Sequence, residues 1–291
     1  FGFIRAASAV PTVKVADIEW NVAEICALAE EAEKNGVAIS VFPELSDTGY
    51  TCADLFGQCL LLRQAEEGIR KIKAFSRGKK TVIVAGAPVR VHGRLYNCAA
   101  VIHNGSLRGL VPKIFLPTYN EFYESRWFSS GSDFIGPGRP ERGSLRDDGK
   151  NCCFSGAGET IRFAGGMTTI YPDMLFSAGN ATFGIEICED LWTPAPPSSY
   201  HALAGADIIV NLSASNEVLM KHQYRKSLVS QQSARTISAY VYASCGYGES
   251  TQDLVFAGSS MIFENGSMLC ENDRFSLEHS LCMADVDISK L

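Results

Sequence analysis

The sequence lacks any apolar run approaching the ~18 residues that a membrane span requires, and no secretory signal is evident at its start. It has no CxxC pair, so a zinc ribbon or a dithiol redox centre has no anchor. Histidine is scarce. His92, His103, His201, His222 and His279 are the five, none with a distinctive flanking motif, and no His/Asp/Glu cluster has metal-ligand spacing. Surface or structural roles are expected for all five, which leaves a Cys-His mechanism without a candidate base. Basic residues are also in deficit, 26 Lys and Arg against 32 Asp and Glu for a net charge of −6, so nothing is available to neutralise nucleic-acid phosphates. These absences point to a cytoplasmic protein without a nucleic-acid, membrane or metal partner. The chain opens on Phe1 rather than Met, as expected of numbering that starts inside a longer chain.

What is present is enough apolar sequence, 46% of 291 residues, to bury a sizeable core. No internal repeat or low-complexity block occurs, and residues 1–291 are read as one domain. Ten cysteines are present, yet Cys26, Cys52, Cys59, Cys98, Cys188, Cys245, Cys270 and Cys282 are scattered singly and only Cys152 and Cys153 are neighbours. That spacing predicts reduced thiols that serve mostly as small core hydrophobes.

Two periodicities alternate along the chain. Gly2 to Val10 and Val37 to Phe42 read as short buried strands, and Asp17 to Asn35 between them repeats apolar residues at helical spacing. A helical stretch from Ala53 to Ser76 leads to a strand at Thr81 to Val89. A hairpin follows, from Leu95 to Ile102 and Ser106 to Val111 around Asn104-Gly105. The irregular stretch from Pro117 to Ala164 is too aromatic for a linker, which predicts a packed, functional excursion. Alternation then resumes with strands at Met167 to Phe176, Ala181 to Ile187, Asp207 to Leu212 and Tyr240 to Ser244. Helices are expected near Ser198 to Gly205 and Leu219 to Ser238. A hairpin at Asn265-Gly266 and a strand from Ser280 to Ile288 complete the pattern. Strands joined by both crossovers and hairpins imply an α/β protein with mixed sheets.

Three reactive residues each lie just past a predicted strand: Glu44 in FPELSDTGY, Lys113 in LVPKIFLP and Cys188 in GIEICEDLW. In α/β sheets such strand ends line the ligand crevice, so the three can converge despite their distance in sequence. A thiol needs a base or a neighbouring cation to act as a nucleophile. A carboxylate can take its proton, and an ammonium can stabilise both thiolate and oxyanion. The backbone N–H of Glu189 is a candidate second oxyanion donor. Together these groups describe acyl transfer from an amide.

FPELSDTGY, VPKIFLPTYNEFYE and GIEICEDLW resemble the three signatures of the nitrilase, or carbon–nitrogen hydrolase, superfamily, whose catalytic set is Glu-Lys-Cys. NEFYESRWF, NLSASN at Asn211–Asn216 and YGESTQDLVF at Tyr247–Phe256 make the chain most similar to one branch, the glutaminase domains of glutamine-dependent NAD synthetases. The resemblance implies Glu44 as general base, Lys113 as the positive stabiliser and Cys188 as nucleophile. It implies Glu121 as a second glutamate orienting the lysine, and Tyr119, Glu189 and Ser215 as residues holding glutamine. It further implies a nitrilase-like αββα sandwich of two mixed β-sheets flanked by helices, paired into a dimer through helices. The partner would be an ATP-dependent synthetase domain or subunit.

The family's synthetase half carries an SGGxDS-type loop for pyrophosphate, and none occurs here. GPGRPERG at Gly136–Gly143 and SGAGE at Ser155–Glu159 are glycine-rich but do not sit between a strand and a helix. The resemblance therefore implies no cofactor for the glutaminase step, with ATP and deamido-NAD confined to a synthetase domain. The alternatives are a free-standing amidase acting on another small amide, and a scaffold subunit with a decayed site, which the intact Glu44, Lys113 and Cys188 argue against.

Overall fold

Strand residues alternate between two apolar layers, and that alternation builds the molecule outward from its centre. The computed structural model describes residues 2–135, 152–153 and 158–291. The first sheet contains β1 (Phe3–Val10), β2 (Ile39–Val41), β3 (Val82–Val91), β4 (Arg94–His103) and β5 (Ser106–Pro112). The second contains β6 (Cys152–Cys153), and the chain returns to the first for β7 (Glu159–Phe163) and β8 (Gly166–Ile170). It then forms β9 (Leu175–Ala178), β10 (Ala181–Ile187), β11 (Ile208–Ser213), β12 (Ala239–Ser244), β13 (Ser260–Glu264) and β14 (Ser267–Glu271) in the second, and ends with β15 (Ser280–Asp287) in the first. The described residues form an eight-stranded sheet of order β15-β1-β2-β3-β4-β5-β8-β7 and a seven-stranded one of order β14-β13-β12-β11-β10-β9-β6.

Each sheet has a parallel centre. β1, β2 and β3 are parallel, connected through α1 (Ile18–Lys34) and α2 (Cys59–Phe75). β10, β11 and β12 are parallel, connected through α3 (Pro197–Leu203) and α4 (Lys221–Thr236). Most flanking strands pair antiparallel, β5 with β8 being a parallel exception, which makes both sheets mixed. Val82 and Val84 of β3 share one apolar cluster between the sheets with Ile208, Val210 and Leu212 of β11. Their alternates Ile83 and Ala85 face Ile25, Leu28, Ile69 and Ile72 of α1 and α2. Ile209, Tyr240 and Tyr242 pack outward with Val229 of α4. This is the αββα sandwich that the sequence predicts.

Local chemistry sets the element ends. Asp17 caps α1 by accepting from Trp20 N–H, and Gly36, at φ +70°, follows its end. The Asn104-Gly105 pair takes positive φ at both positions, the conformation of a tight hairpin turn. The helix expected from Ala53 starts later, because Tyr50–Gly57 forms a 3-10 segment with Ala53 at φ +47° before α2 begins. The single strand expected over Met167 to Phe176 is two, β8 and β9, in different sheets. Pro172 has no N–H for a ladder, and there the chain leaves one sheet for the other.

The expectation of reduced cysteines fails at one place, where Cys270 and Cys282 form a disulfide with Cα atoms 6.2 Å apart. β14 lies at the end of one sheet and β15 at the end of the other, and the two edges stack. Cys52, Cys98 and Cys245 are buried free thiols as expected, whereas Cys59 is exposed. GPGRPERG lies outside the described residues, as does most of SGAGE. Among the described residues no helix is long and apolar enough to cross a membrane.

Candidate active site

Glu44, Lys113 and Cys188 stand at the carboxyl ends of β2, β5 and β10, and all three are buried. The Glu44 turn passes so close over β3 that a Cβ on Gly86 would meet Leu45 N at 2.1 Å. Lys113 N–H donates to Asn97 O at 2.8 Å, which extends the β4–β5 pairing to the lysine. Cys188 takes φ +47° as the first residue of a 3-10 segment, Cys188–Trp192. Its N–H donates to Asn211 Oδ1 at 3.2 Å.

Buried charges require partners, and Lys113 has two. Its Nζ donates to Glu44 Oε1 at 2.6 Å and to Glu124 Oε1 at 2.7 Å. Asn97 Nδ2 also donates to Glu44 Oε1 at 2.6 Å, and the Tyr50 hydroxyl donates to Glu124 Oε1 at 2.8 Å. Glu44 Oε2 is buried without a hydrogen-bond partner among the described residues. One oxygen of Glu44 is thus held by donors while the other keeps its lone pairs.

Electrostatics follow from this enclosure. Burial opposes the Lys113 charge, but Glu124 and Glu44 outweigh it and hold the ammonium well above its ordinary value. Two carboxyl groups crowd one ammonium in a buried site. Burial accordingly raises Glu124 to about 7, with Lys113 pulling against it and Glu44 adding to it. Burial and Glu44 push the Cys188 thiol upward, and Lys113 only partly offsets them. The resting sulfur is therefore protonated, and its proton must leave as it attacks.

The second carboxylate on the lysine is Glu124, not Glu121. Glu121 instead accepts from Asn216 Nδ2. The two glutamates share the YNEFYE motif, and the 3-10 turn Glu124–Arg126 directs the later one inward, where it is buried. Asn97 and Tyr50 were also missed. Asn97 lies inside a strand that reads simply as core, and only its polar character within that apolar run marks it.

Asp190 ties the nucleophile to the lysine. Its Oδ1 accepts from Ile114 N–H at 3.2 Å and Phe115 N–H at 2.8 Å, and its Oδ2 accepts from Ile187 N–H at 2.9 Å. A second brace runs behind the sulfur. Asn211 Oδ1 accepts from Ser213 Oγ at 2.7 Å as well as from Cys188 N–H, and Asn211 Nδ2 donates to Tyr240 Oη at 3.0 Å. The Tyr240 hydroxyl donates in turn to Glu186.

The predicted glutamine-holding residues divide into two groups. Tyr119 Oη donates to the Glu189 carboxylate at 2.9 Å and 3.0 Å, bringing those two together beside Cys188. Ser215 is buried past β11, with Arg225 Nη2 at 3.5 Å from its Oγ. Lys221, absent from the sequence-based set, lies by this group. Its Nζ donates to Asn216 Oδ1 and lies 5.8 Å from the Phe122 ring centroid and 5.3 Å from that of Trp192. The histidines lie elsewhere: His92 by Glu159, His103 by Arg108, His201 by Asp173, His222 by Glu271 and His279 by Glu24. Among the described residues no group of three His, Cys, Asp or Glu side chains could hold a metal ion.

A thiol, a carboxylate with one unpartnered oxygen and a fixed ammonium are groups suited to acyl transfer through a cysteine. The sequence model of the carbon-nitrogen hydrolase family matches residues 5–291, and the chain belongs to that family. Over its whole length it is 39% identical to the glutamine-dependent NAD(+) synthetase of Mycobacterium leprae, of which it covers 40%. Among solved structures, a glutamine-dependent NAD(+) synthetase from Cytophaga hutchinsonii superposes with a TM-score of 0.79 at 30% identity, over 97% of this chain and 43% of that one. An amidase from Nesterenkonia sp. shares the fold, with a TM-score of 0.70 at 17% identity over 98% of this chain and 90% of that one. The chain spans about 40% of the length of the curated relatives it matches.

Proposed function

We propose that residues 1–291 form one glutaminase domain that releases ammonia from L-glutamine for an NAD synthetase active site carried elsewhere. The observation that carries this reading is the Glu44 carboxylate, with Oε1 fixed by Lys113 and Asn97 and Oε2 free to take a proton. Cys188 Sγ attacks the side-chain amide carbon as its proton passes to Glu44 Oε2. The Lys113 ammonium and the Glu189 N–H receive the oxyanion, the latter because a first-turn N–H has no partner within its own helix. When the C–N bond breaks, Glu44 returns the proton to the departing nitrogen, giving ammonia and a glutamyl thioester. Glu44 then deprotonates water for attack on the thioester, glutamate leaves, and the thiol regains its proton.

Substrate selection falls to the polar groups around Cys188. Glu189, oriented by Tyr119, suits an α-ammonium, and Ser215 with Lys221 suits an α-carboxylate. No cofactor takes part in this step, and ATP and deamido-NAD belong to the synthetase portion. A cytoplasmic location accords with this reading. Exposed apolar side chains on and beside α3 and α4, among them Leu203, Leu219, Met220 and Tyr224, support subunit pairing through those helices.

The test compares glutamine, asparagine and propionamide as substrates. Glutamine should have the highest kcat/KM, and Glu189→Gln should raise KM for glutamine about tenfold or more while leaving propionamide turnover unaltered. Equal or better kcat/KM for propionamide would favour the free-standing amidase.

A further inference from the structure

The loop containing YGESTQDLVF takes no part in the chemistry above, yet it sends a carboxylate into the core. Glu249 is buried. Its Oε1 accepts from Tyr50 N–H at 2.7 Å and its Oε2 from Thr51 N–H at 3.0 Å. The Thr51 hydroxyl also donates to Oε2 and accepts from Ser250 N–H at 2.8 Å. Phe256, further along the loop, packs edge-on against the Tyr50 ring with centroids 6.0 Å apart. These contacts hold the first turn of the Tyr50–Gly57 segment, whose two leading N–H groups would otherwise lack acceptors.

Tyr50 is the other end of the connection. Its hydroxyl and Lys113 Nζ share one acceptor, Glu124 Oε1, and Lys113 holds Glu44. A shift of the Tyr50 backbone therefore moves the hydroxyl that orients Glu124, and the ammonium follows. Misplacement of a catalytic group by about 1 Å can cost ~10²-fold in rate.

We propose that Glu249 is a positioning residue for the catalytic cation, acting through Tyr50 and Glu124 to hold Lys113 in register with Cys188. The inference rests on the reading of Lys113 as that cation and deepens it.

A double-mutant cycle tests it with Glu249→Gln and Tyr50→Phe, read as glutamine kinetics and as the rate and pH profile of Cys188 alkylation by iodoacetamide. Glu249→Gln should lower kcat about tenfold with KM within about threefold, and should slow Cys188 alkylation most at the low-pH end, so that a profile nearly flat in the wild type rises with pH. The double variant should be no slower than Tyr50→Phe alone, because both changes break the same path. A kcat for Glu249→Gln within twofold of wild type, or additive losses in the cycle, would overturn the proposal. If Glu249→Gln does not fold, Thr51→Val takes its place. It removes one contact to the carboxylate and is expected to lower kcat about threefold, and an unchanged kcat would count against the proposal. Iodoacetamide needs no glutamine, so the cycle can still be read if wild type releases no glutamate, a result that would sink the functional reading alone.

Discussion

Lys113 shows why this site needs its residues as they are. A compact ammonium donates to two carboxylate oxygens and keeps a third N–H for the proposed oxyanion, an arrangement that a planar guanidinium cannot reproduce. Lys113→Arg and Lys113→Met should each lower kcat by about 10²-fold or more, by analogy with removing an oxyanion donor. Near-normal steady-state kcat in the arginine variant would reduce the lysine to a structural role. Glu44 gives a pH signature. With Glu44 as the proposed base for the thiol proton, alkylation of Cys188 should be nearly flat with pH around neutrality. In Glu44→Gln that route is gone and only pre-formed thiolate reacts, so the rate should rise about tenfold per pH unit until the thiol is ionised. A flat profile in that variant would mean another base serves the sulfur.

The placement of Glu44, Lys113 and Cys188 at converging strand ends was legible because each follows a recognisable strand. Glu124 was not. It lies three residues from Glu121 in an aromatic stretch with no periodicity, and only the backbone turn there decides which glutamate points inward. Lys221 was missed because a lysine at the start of a helix is ordinarily a solvated residue.

At the scale of elements, close approach matters more than propensity. Gly86 lets the Glu44 turn lie directly on β3, and an added Cβ would meet backbone atoms, which cannot move aside as a flexible side chain can. Gly86→Ala should destabilise the fold by about 1–3 kcal/mol, as overpacking does, and should lower kcat about tenfold by displacing Glu44. Thermal unfolding together with glutamine kinetics checks both, and unaltered kcat would show that the turn tolerates the shift. Most strands and helices were readable within a few residues, because their apolar spacing has one solution. The division into β8 and β9 was not, since an apolar run does not announce which sheet it joins. The Cys270–Cys282 pair was equally hidden, because it depends on the edges of two sheets meeting.

For the whole molecule, the proposed division of labour predicts coupling. A glutaminase serving a synthetase site wastes glutamine unless its own site is completed when the acceptor is bound. The aromatic segment Tyr119 to Phe128 is suited to transmit that state, since it carries Glu124 to Lys113 while Tyr123 reaches Asp253 and Arg126 pairs with Asp54 at the surface. The isolated 291-residue chain should therefore release glutamate slowly, and a longer natural chain bearing the synthetase portion should speed up with ATP and deamido-NAD bound. Glutamate release from both, with and without those ligands, decides it. Equal rates would remove the case for coupling.

The central claim is that Cys188 carries the glutamyl group. The most direct measurement is acid quenching during glutamine turnover, followed by mass mapping of the peptides. A glutamyl adduct should be found on the peptide containing Cys188 and be lost in Cys188→Ala, which should also lack measurable hydrolysis. Glutamate release without an adduct at Cys188, or hydrolysis by Cys188→Ala within tenfold of wild type, would contradict the account.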